Sequence, residues 1–345
     1  MADTLLSETA ERLFTDTITP QVLAAAERGV FPAAAWAALQ DAGLHLALLP
    51  EDAGGFGMPP DEALTLLRVA GRHALPLPLA ETLLASWLLA GAGLVTPEGP
   101  LAITCHADLA LHRTPMGWQL QGSAPAIAWA RDAASLAVLA QVDGQPHVAL
   151  VPAGRWHSTP GHNIAREPRD TISLATTLPS DAVGPTRIAA SELRAAGAAT
   201  RSLLMAGALE RITDMTVQYA QDRVQFGRPI GRFQAVQHSL AILASQTAAA
   251  VAAADMAAEA FSSMRTPAIA AAKARAGEAA GIGAGLAHQI HGALGFTYEH
   301  SLHFLTKRLQ AWRGEYGGEA EWNAWLGHHL ATAGADQLWA ELTAI

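Results

Sequence analysis

The sequence predicts a mainly α-helical protein with a small β domain in its middle. Three observations carry this. Residues 1–95 contain helix start and stop signals, residues of roughly 101–185 contain short β-type segments, and from about 191 apolar residues recur at helical spacing. A chain of 345 residues accommodates about two or three domains. The changes of texture place them at 1–97, a helical N-terminal domain, 98–187, a small β domain, and 188–345, a helical bundle.

Each element has its own local reason. Pro32, Ala33–Leu39 and then Gly43 mark a helix with an early proline and a glycine stop, while Asp61 caps Glu62–Gly71 after Pro59-Pro60. Ala80–Leu89 is a third helix. Pro97-Glu98-Gly99-Pro100 reads as a linker. Leu136–Val142 and His147–Val151 flank Asp143-Gly144, which supplies the positive φ angles of a tight hairpin turn, and Trp118–Leu120 and Thr171–Ala175 are further strands. Leu204, Ala208, Ile212, Met215 and Tyr219 share one helix face, as do Val236, Leu240, Leu243, Thr247 and Val251. Thr266-Pro267 is a helix start with the cap residue before the proline. Four long Ala-rich helices near 191–224, 232–264, 267–294 and 319–343 predict an antiparallel bundle whose small side chains permit close approach.

Composition narrows the function. Charged residues make up 15% of the chain, against about a quarter in ordinary globular proteins, so some surface is expected to be covered by another chain. The net charge of -9 and the lack of a Lys/Arg cluster argue against nucleic acid or an anionic membrane as partner. The opening Met1-Ala-Asp-Thr-Leu-Leu-Ser-Glu lacks a basic stretch followed by an apolar run, and no window reads as a membrane span, so the expected location is cytoplasmic. Cys105 is the sole cysteine, which excludes an internal disulfide and reads as buried filler. Gly281-Ile-Gly283-Ala-Gly285 follows a helix rather than a strand and is read as a set of close helix contacts. His288 and His291 lie on one helix face without a completing ligand, so no metal site is expected. A G-x-S-x-G elbow is absent, leaving nucleophilic hydrolysis unsupported.

Two segments remain. Arg223-Val-Gln225-Phe226-Gly227-Arg228-Pro229-Ile230-Gly231-Arg232-Phe233-Gln234 joins two helices. It reads either as a basic interhelical turn or as a place where backbone donors and arginine hold a phosphate. Gln289-Ile-His-Gly292-Ala293-Leu-Gly295-Phe296, followed by Tyr298-Glu299, ends a helix in glycines. That is either a plain C-cap or a backbone that a flat or anionic ligand can approach closely.

Together with Trp36, Leu39, Ala42-Gly43-Leu44, Leu49-Pro50-Glu51 and Gly54-Gly55-Phe56-Gly57, these segments closely resemble acyl-CoA dehydrogenases over nearly the whole chain. The resemblance implies a helical N-terminal domain, a β-barrel middle domain and a C-terminal four-helix bundle. It also implies FAD, an acyl-CoA substrate and an electron-transferring flavoprotein as acceptor. Matched residue by residue, Arg223, Gln225, Phe226, Phe233, Gln234, Gln289, Gly292 and Ala293 correspond to the family's contacts to the adenine and pyrophosphate part of a flavin held chiefly by a neighbouring subunit.

The chain departs from the family at the flavin ring and at the base. Where members carry a Thr-Glu-Pro-x-Ala-Gly-Ser loop this sequence has Ile103-Thr104-Cys105-His106-Ala107, and Ala126-Ile127-Ala128 stands in for Trp-Ile-Thr. The ring's aromatic face and hydroxyl donor are thereby lost. Around the base the sequence is Arg313-Gly314-Glu315-Tyr316-Gly317-Gly318-Glu319, with Tyr316 at the base position and Glu315 one residue early, while the alternative base position matches Thr200. A phenol with an ordinary pKa near 10 is a poor base at neutral pH. These losses resemble the short, base-lacking subunit of heterotetrameric acyl-CoA dehydrogenases of bacterial steroid side-chain degradation, and Arg72 with Pro76-x-Pro78-Leu79-Ala80-Glu81 adds to that likeness. The expectation is an α2β2 partner of a longer subunit that supplies the base. Its rivals are a self-sufficient homotetramer using Glu315 and a helical scaffold without flavin.

Overall fold

A computed structural model describes residues 5–343, apart from the side chain of Leu342; the opening residues read above therefore lie partly outside it. In chain order the helices are α1 (Leu5–Thr17), α2 (Pro20–Glu27), α3 (Ala33–Asp41), α4 (Pro60–Arg72) and α5 (Leu79–Ala90). Strands β1 (Leu101–Thr104), β2 (Ala110–Thr114), β3 (Gly117–Ala128), β4 (Ser135–Val142), β5 (Gln145–Pro152), β6 (His157–Thr159), β7 (Arg169–Leu178) and β8 (Val183–Pro185) follow. After them come α6 (Ala190–Asp222), the short strands β9 (Val224–Gln225) and β10 (Arg228–Pro229), α7 (Gln234–Phe261), α8 (Thr266–His291), α9 (Leu302–Gly314), α10 (Glu319–Ala333) and α11 (Leu338–Thr343). The residues group into two compact units. One takes the described residues up to Pro20, Pro60–Leu75 and those from Ala195 onward, and the other takes Gln21–Pro59 and Pro76–Arg194.

The second unit is built on two four-stranded sheets, ordered β1-β4-β5-β8 and β2-β3-β7-β6. Strand β7 alternates buried and exposed residues along nearly its whole length, as a half-buried strand must. Strand β4 is buried from Ser135 to Ala140, because α5 covers the face turned away from the inter-sheet core. Leu120, Leu136, Val138, Val151 and Ile172 belong to that core. The hairpin expected at Asp143-Gly144 is present: Val142 pairs with Gln145, and the two turn residues take φ of 51° and 77°. Arg131 and Gly161 both donate to the fully buried Asp170 carboxylate, tying the turn after β3 to β7. Cys105 is half-buried, and burial pushes its thiol pKa up, which fits the filler reading.

The first unit is the helical one. Helices α7 and α8 pack along much of their length through alanines, among them Ala250, Ala254, Ala257, Ala272, Ala276 and Ala280, all buried. Helices α4 and α6 meet backbone to backbone. A Cβ at Gly207 would lie 1.8 Å from the Arg68 carbonyl, and one at Gly71 would lie 2.1 Å from that of Leu204. Beside this crossing Arg68 clasps Glu210 with two hydrogen bonds of 2.7 and 3.0 Å. Gly283 of α8 admits Leu209, as the close-contact reading requires, whereas a Cβ at Gly285 would meet nothing.

Several boundaries differ from the sequence reading. Helix α9 was not foreseen: its buried side includes Arg308, His303 and Thr306, which blur the apolar periodicity. The helix expected over 319–343 is two, α10 and α11, because Gly334 takes φ 85° after Ala333. Ile230–Arg232 form a 3-10 turn rather than the start of α7, and α8 has Arg265, not Thr266, as its cap. Finally, α7 is long and apolar enough, by length and composition, to cross a membrane, although the sequence reading found no such window; its alanines raise the mean hydropathy of an 18-residue stretch to 1.4 despite interspersed polar residues. It is also the helix that packs along α8.

Candidate functional site

The two singled-out segments are tied to one end of the helical unit through Tyr219 and His291. Helix α6 ends with Tyr219 one turn before Arg223, whose backbone N–H donates to the Tyr219 carbonyl at 2.9 Å. Helix α8 ends at His291, whose ring stacks on Tyr219 with centroids 4.4 Å apart, and the Tyr219 hydroxyl donates to the His291 carbonyl at 3.4 Å. Arg223 lies four residues past this contact and Gly292 one residue past it, so both motifs share a common anchor.

Beyond Arg223 the chain makes a two-residue hairpin. Gln225 pairs with Arg228 across Phe226 and Gly227, whose φ angles of 50° and 77° give the same turn type as Asp143-Gly144. Phe226 is thereby carried on the tip, 92% exposed, with its ring edge-on to Phe233 at 6.1 Å. Arg228 lies over the Phe233 ring at 4.3 Å. Gln234 opens α7 next to Phe233. Gly292 takes φ 61° and ψ −144°, a conformation for glycine, and a Cβ there would meet no atom within 4 Å. Arg223, Gln225, Gln234, Gln289, Gly292 and Ala293 are all exposed, and Phe233 is half-buried.

This donor set suits the adenosine and pyrophosphate portion of FAD. A guanidinium without an ion pair among the described residues, three exposed amides, two aromatic rings and an open glycine backbone stand at one helix-bundle end. The second unit offers much less to an isoalloxazine. Ala126 sits at an irregularity of β3 with φ 56° and is exposed, while Ala128 is half-buried; neither brings an aromatic face or a hydroxyl.

The segment around Glu315 is built differently. Glu315 accepts from Arg201 Nε at 2.7 Å, and the Arg201 side chain is only 2% exposed. The Arg201 guanidinium lies 5.2 Å from the centre of the Tyr316 ring, which rests on Gly197 so closely that a Cβ there would come within 2.2 Å of it. Tyr316 holds φ 56°, and its carbonyl accepts from Trp322 Nε1 at 3.1 Å. Thr200 is fully buried and donates to the Gly197 carbonyl at 2.7 Å. Lys273, 1% exposed, donates to the carbonyls of Arg313 and Gly317 at 2.7 and 2.8 Å, closing the end of α9. None of these hydrogen bonds was legible as a motif: those of Arg201 and Lys273 reach across 40 to 114 positions, and the rest are local bonds that no motif marks.

Burial, partly offset by Glu319, brings the Lys273 pKa down to about 8. The folded pKa lies below the unfolded one, so between about pH 8 and 10.5 the unfolded state holds the extra proton and stability rises with pH. In urea titrations the stability of wild type relative to Lys273→Met should climb by up to about 1.4 kcal/mol per pH unit in that window. A difference that stays flat would contradict it.

The acyl-CoA dehydrogenase N-terminal domain matches residues 2–94 and the acyl-CoA dehydrogenase C-terminal domain matches residues 189–323. The acyl-CoA dehydrogenase IpdE2 of Mycobacterium tuberculosis is 30% identical over 312 residues, covering 88% of this chain and 89% of that protein. The chain belongs to the acyl-CoA dehydrogenase family. Members are FAD-dependent oxidoreductases, and the fold follows suit: mostly helical, with a small sheet region. IpdE2 of Mycolicibacterium smegmatis is 29% identical over 311 residues, 88% of this chain and 91% of its own. Among solved structures, a variant of the Tcur3481-Tcur3483 steroid ACAD matches with a TM-score of 0.85 and 26% identity, covering 95% of this chain and 97% of that one. The ChsE4-ChsE5 complex of Mycobacterium tuberculosis shares the fold at a TM-score of 0.87 and 23% identity, covering 97% and 99%. Both the family and the fold class are those expected from the sequence.

Proposed function

We propose that this chain is the base-lacking subunit of an α2β2 acyl-CoA dehydrogenase acting on a steroid side-chain CoA thioester, with an electron-transferring flavoprotein as acceptor. The observation that carries it is the contrast between the two sites. The bundle end displays an exposed guanidinium and three exposed amides, whereas Glu315 is held by the buried Arg201 and Ala126 and Ala128 bring the flavin ring neither an aromatic face nor a hydroxyl. A steroid ACAD and a two-component complex among the similar structures support the substrate class and the partner.

FAD, when bound, supplies the two-electron acceptor for the β-hydride as the α-proton leaves to a carboxylate of the longer subunit. This chain's part is binding. Arg223 would hold the pyrophosphate by charge-assisted hydrogen bonds, Gln225, Gln234 and Gln289 would contribute amide hydrogen bonds, Phe226 and Phe233 would offer flat apolar surface, and Gly292-Ala293 would let the backbone approach closely. The domain division at 97 and 187 belongs to the same reading.

Flavin quantitation tests it. The chain expressed alone should be flavin-poor, and the complex formed on co-expression with a longer acyl-CoA dehydrogenase subunit should carry one FAD per heterodimer. A lone subunit with one tightly held FAD per chain would favour the self-sufficient enzyme.

A further inference from the structure

Beneath the Gly292 turn lies an imidazole that the proposed function leaves unused. His291, the last residue of α8, is 2% exposed, and its Nδ1 is 2.8 Å from the Ala287 carbonyl oxygen. A carbonyl only accepts, so Nδ1 carries the proton and Nε2 the lone pair. That Nε2 is buried and has no hydrogen-bond partner among the described residues.

The ring is enclosed by other uncharged groups. Tyr219 of α6 stacks on one side, and His300, from the segment before α9, comes within 4.7 Å. One turn earlier on α8, His288 stacks on Phe296 at 4.2 Å and shares a 2.8 Å hydrogen bond with Thr306 of α9; its Nδ1 is also buried without a hydrogen-bond partner among the described residues. Arg211, Asp214 and Asp222 of α6 line a cleft of about 420 Å³ together with Tyr219 and His300. The charges bearing on His291 are those of His300 and His288, both bases, and burial pushes all three imidazoles below the ordinary histidine value.

We infer that His291 is a positioning residue for the cofactor contact at Gly292 and Ala293, fixing that turn only while its ring is neutral, so that acidification loosens the cofactor; this rests on the cofactor reading above. A proton on Nε2 would bury a cationic N–H with no acceptor beside two other imidazoles. The cheaper response is for the ring to leave, which breaks the Tyr219 stack and the Tyr219 hydrogen bond to the His291 carbonyl, the two contacts that set the residue before Gly292. The sign follows from linkage. The opened state takes the proton first, so the arrangement is fully favoured above about pH 6.5 and is lost as pH falls below it.

The experiment follows FAD release from the flavin-containing complex between pH 8 and 5 in wild type and His291→Leu, with Arg223→Ala compared at pH 8. The wild-type dissociation constant should rise below pH 6.5 by up to about tenfold per pH unit for one coupled proton, and the leucine variant should flatten that rise. Equal pH dependence in both overturns the role of His291. If Arg223→Ala loses flavin while the pH curves coincide, only the positioning role fails. If Arg223→Ala retains flavin fully, Arg223 is not a cofactor contact, and if the complex carries no flavin at all the cofactor reading itself fails. Should His291→Leu not assemble, histidine-ring NMR of the wild-type complex decides. A His291 signal that titrates below pH 6.5 in step with flavin release supports the inference, and one that titrates at or above 6.5, or without release, overturns it.

Discussion

Glu315→Ala should destabilise the helical unit by up to about 3–5 kcal/mol, because it removes the carboxylate 2.7 Å from the Arg201 guanidinium, a charge held at 2% exposure. The Glu315 side chain is itself 19% exposed, so water reaches one side of the pair and the lower end of that range is expected. The arginine cannot lose its proton and is packed over Tyr316. Replacing both partners, as in Arg201→Met with Glu315→Leu, should recover most of the loss, since an apolar pair of similar volume leaves no charge to solvate. Urea unfolding of the two variants checks this through the midpoint at constant slope. A loss below about 1 kcal/mol for Glu315→Ala would place the pair among ordinary surface ion pairs.

Arg223→Ala should weaken FAD retention in the assembled enzyme by roughly ten- to a hundredfold, which corresponds to about 1.5–3 kcal/mol for one charge-assisted phosphate contact. The fold should not change. Arg223 is exposed, and the structural tie at this bundle end is made by Tyr219 and His291. Equilibrium dialysis of flavin against the variant complex measures the effect, and an unchanged affinity would remove Arg223 from the cofactor contacts.

What the sequence made legible was local. Asp143-Gly144 demands particular backbone angles, and that turn takes them. The regular alternation of β7 and the alanine faces of α7 and α8 follow from side-chain period. What remained hidden depends on distance in sequence. Arg201 and Glu315 are 114 positions apart, Lys273 reaches Gly317 across 44, and Tyr219 meets the His291 carbonyl across 72. No periodicity encodes such meetings. Buried charges also disguise themselves: Arg308 within α9 and Lys273 within α8 look like surface residues in one dimension, yet are 1% exposed. The eight candidate cofactor residues were named through the family resemblance of two short runs; His288 and His291 were seen to share a helix face, but their packing against Phe296 and Tyr219 was not.

The central claim is that this chain binds cofactor without supplying the base. Steady-state turnover of the reconstituted complex tests it most directly, comparing Glu315→Gln with loss of the corresponding glutamate in the longer subunit. Glutamine keeps an oxygen that can accept from Arg201 Nε, so this variant probes chemistry more than packing. The account expects Glu315→Gln to stay within a few-fold of wild type, while removal of the partner's carboxylate costs at least about 10²–10⁴-fold, the range for a general base. Collapse of turnover with Glu315→Gln, and its survival without the partner's glutamate, would contradict the account and assign the base to this chain.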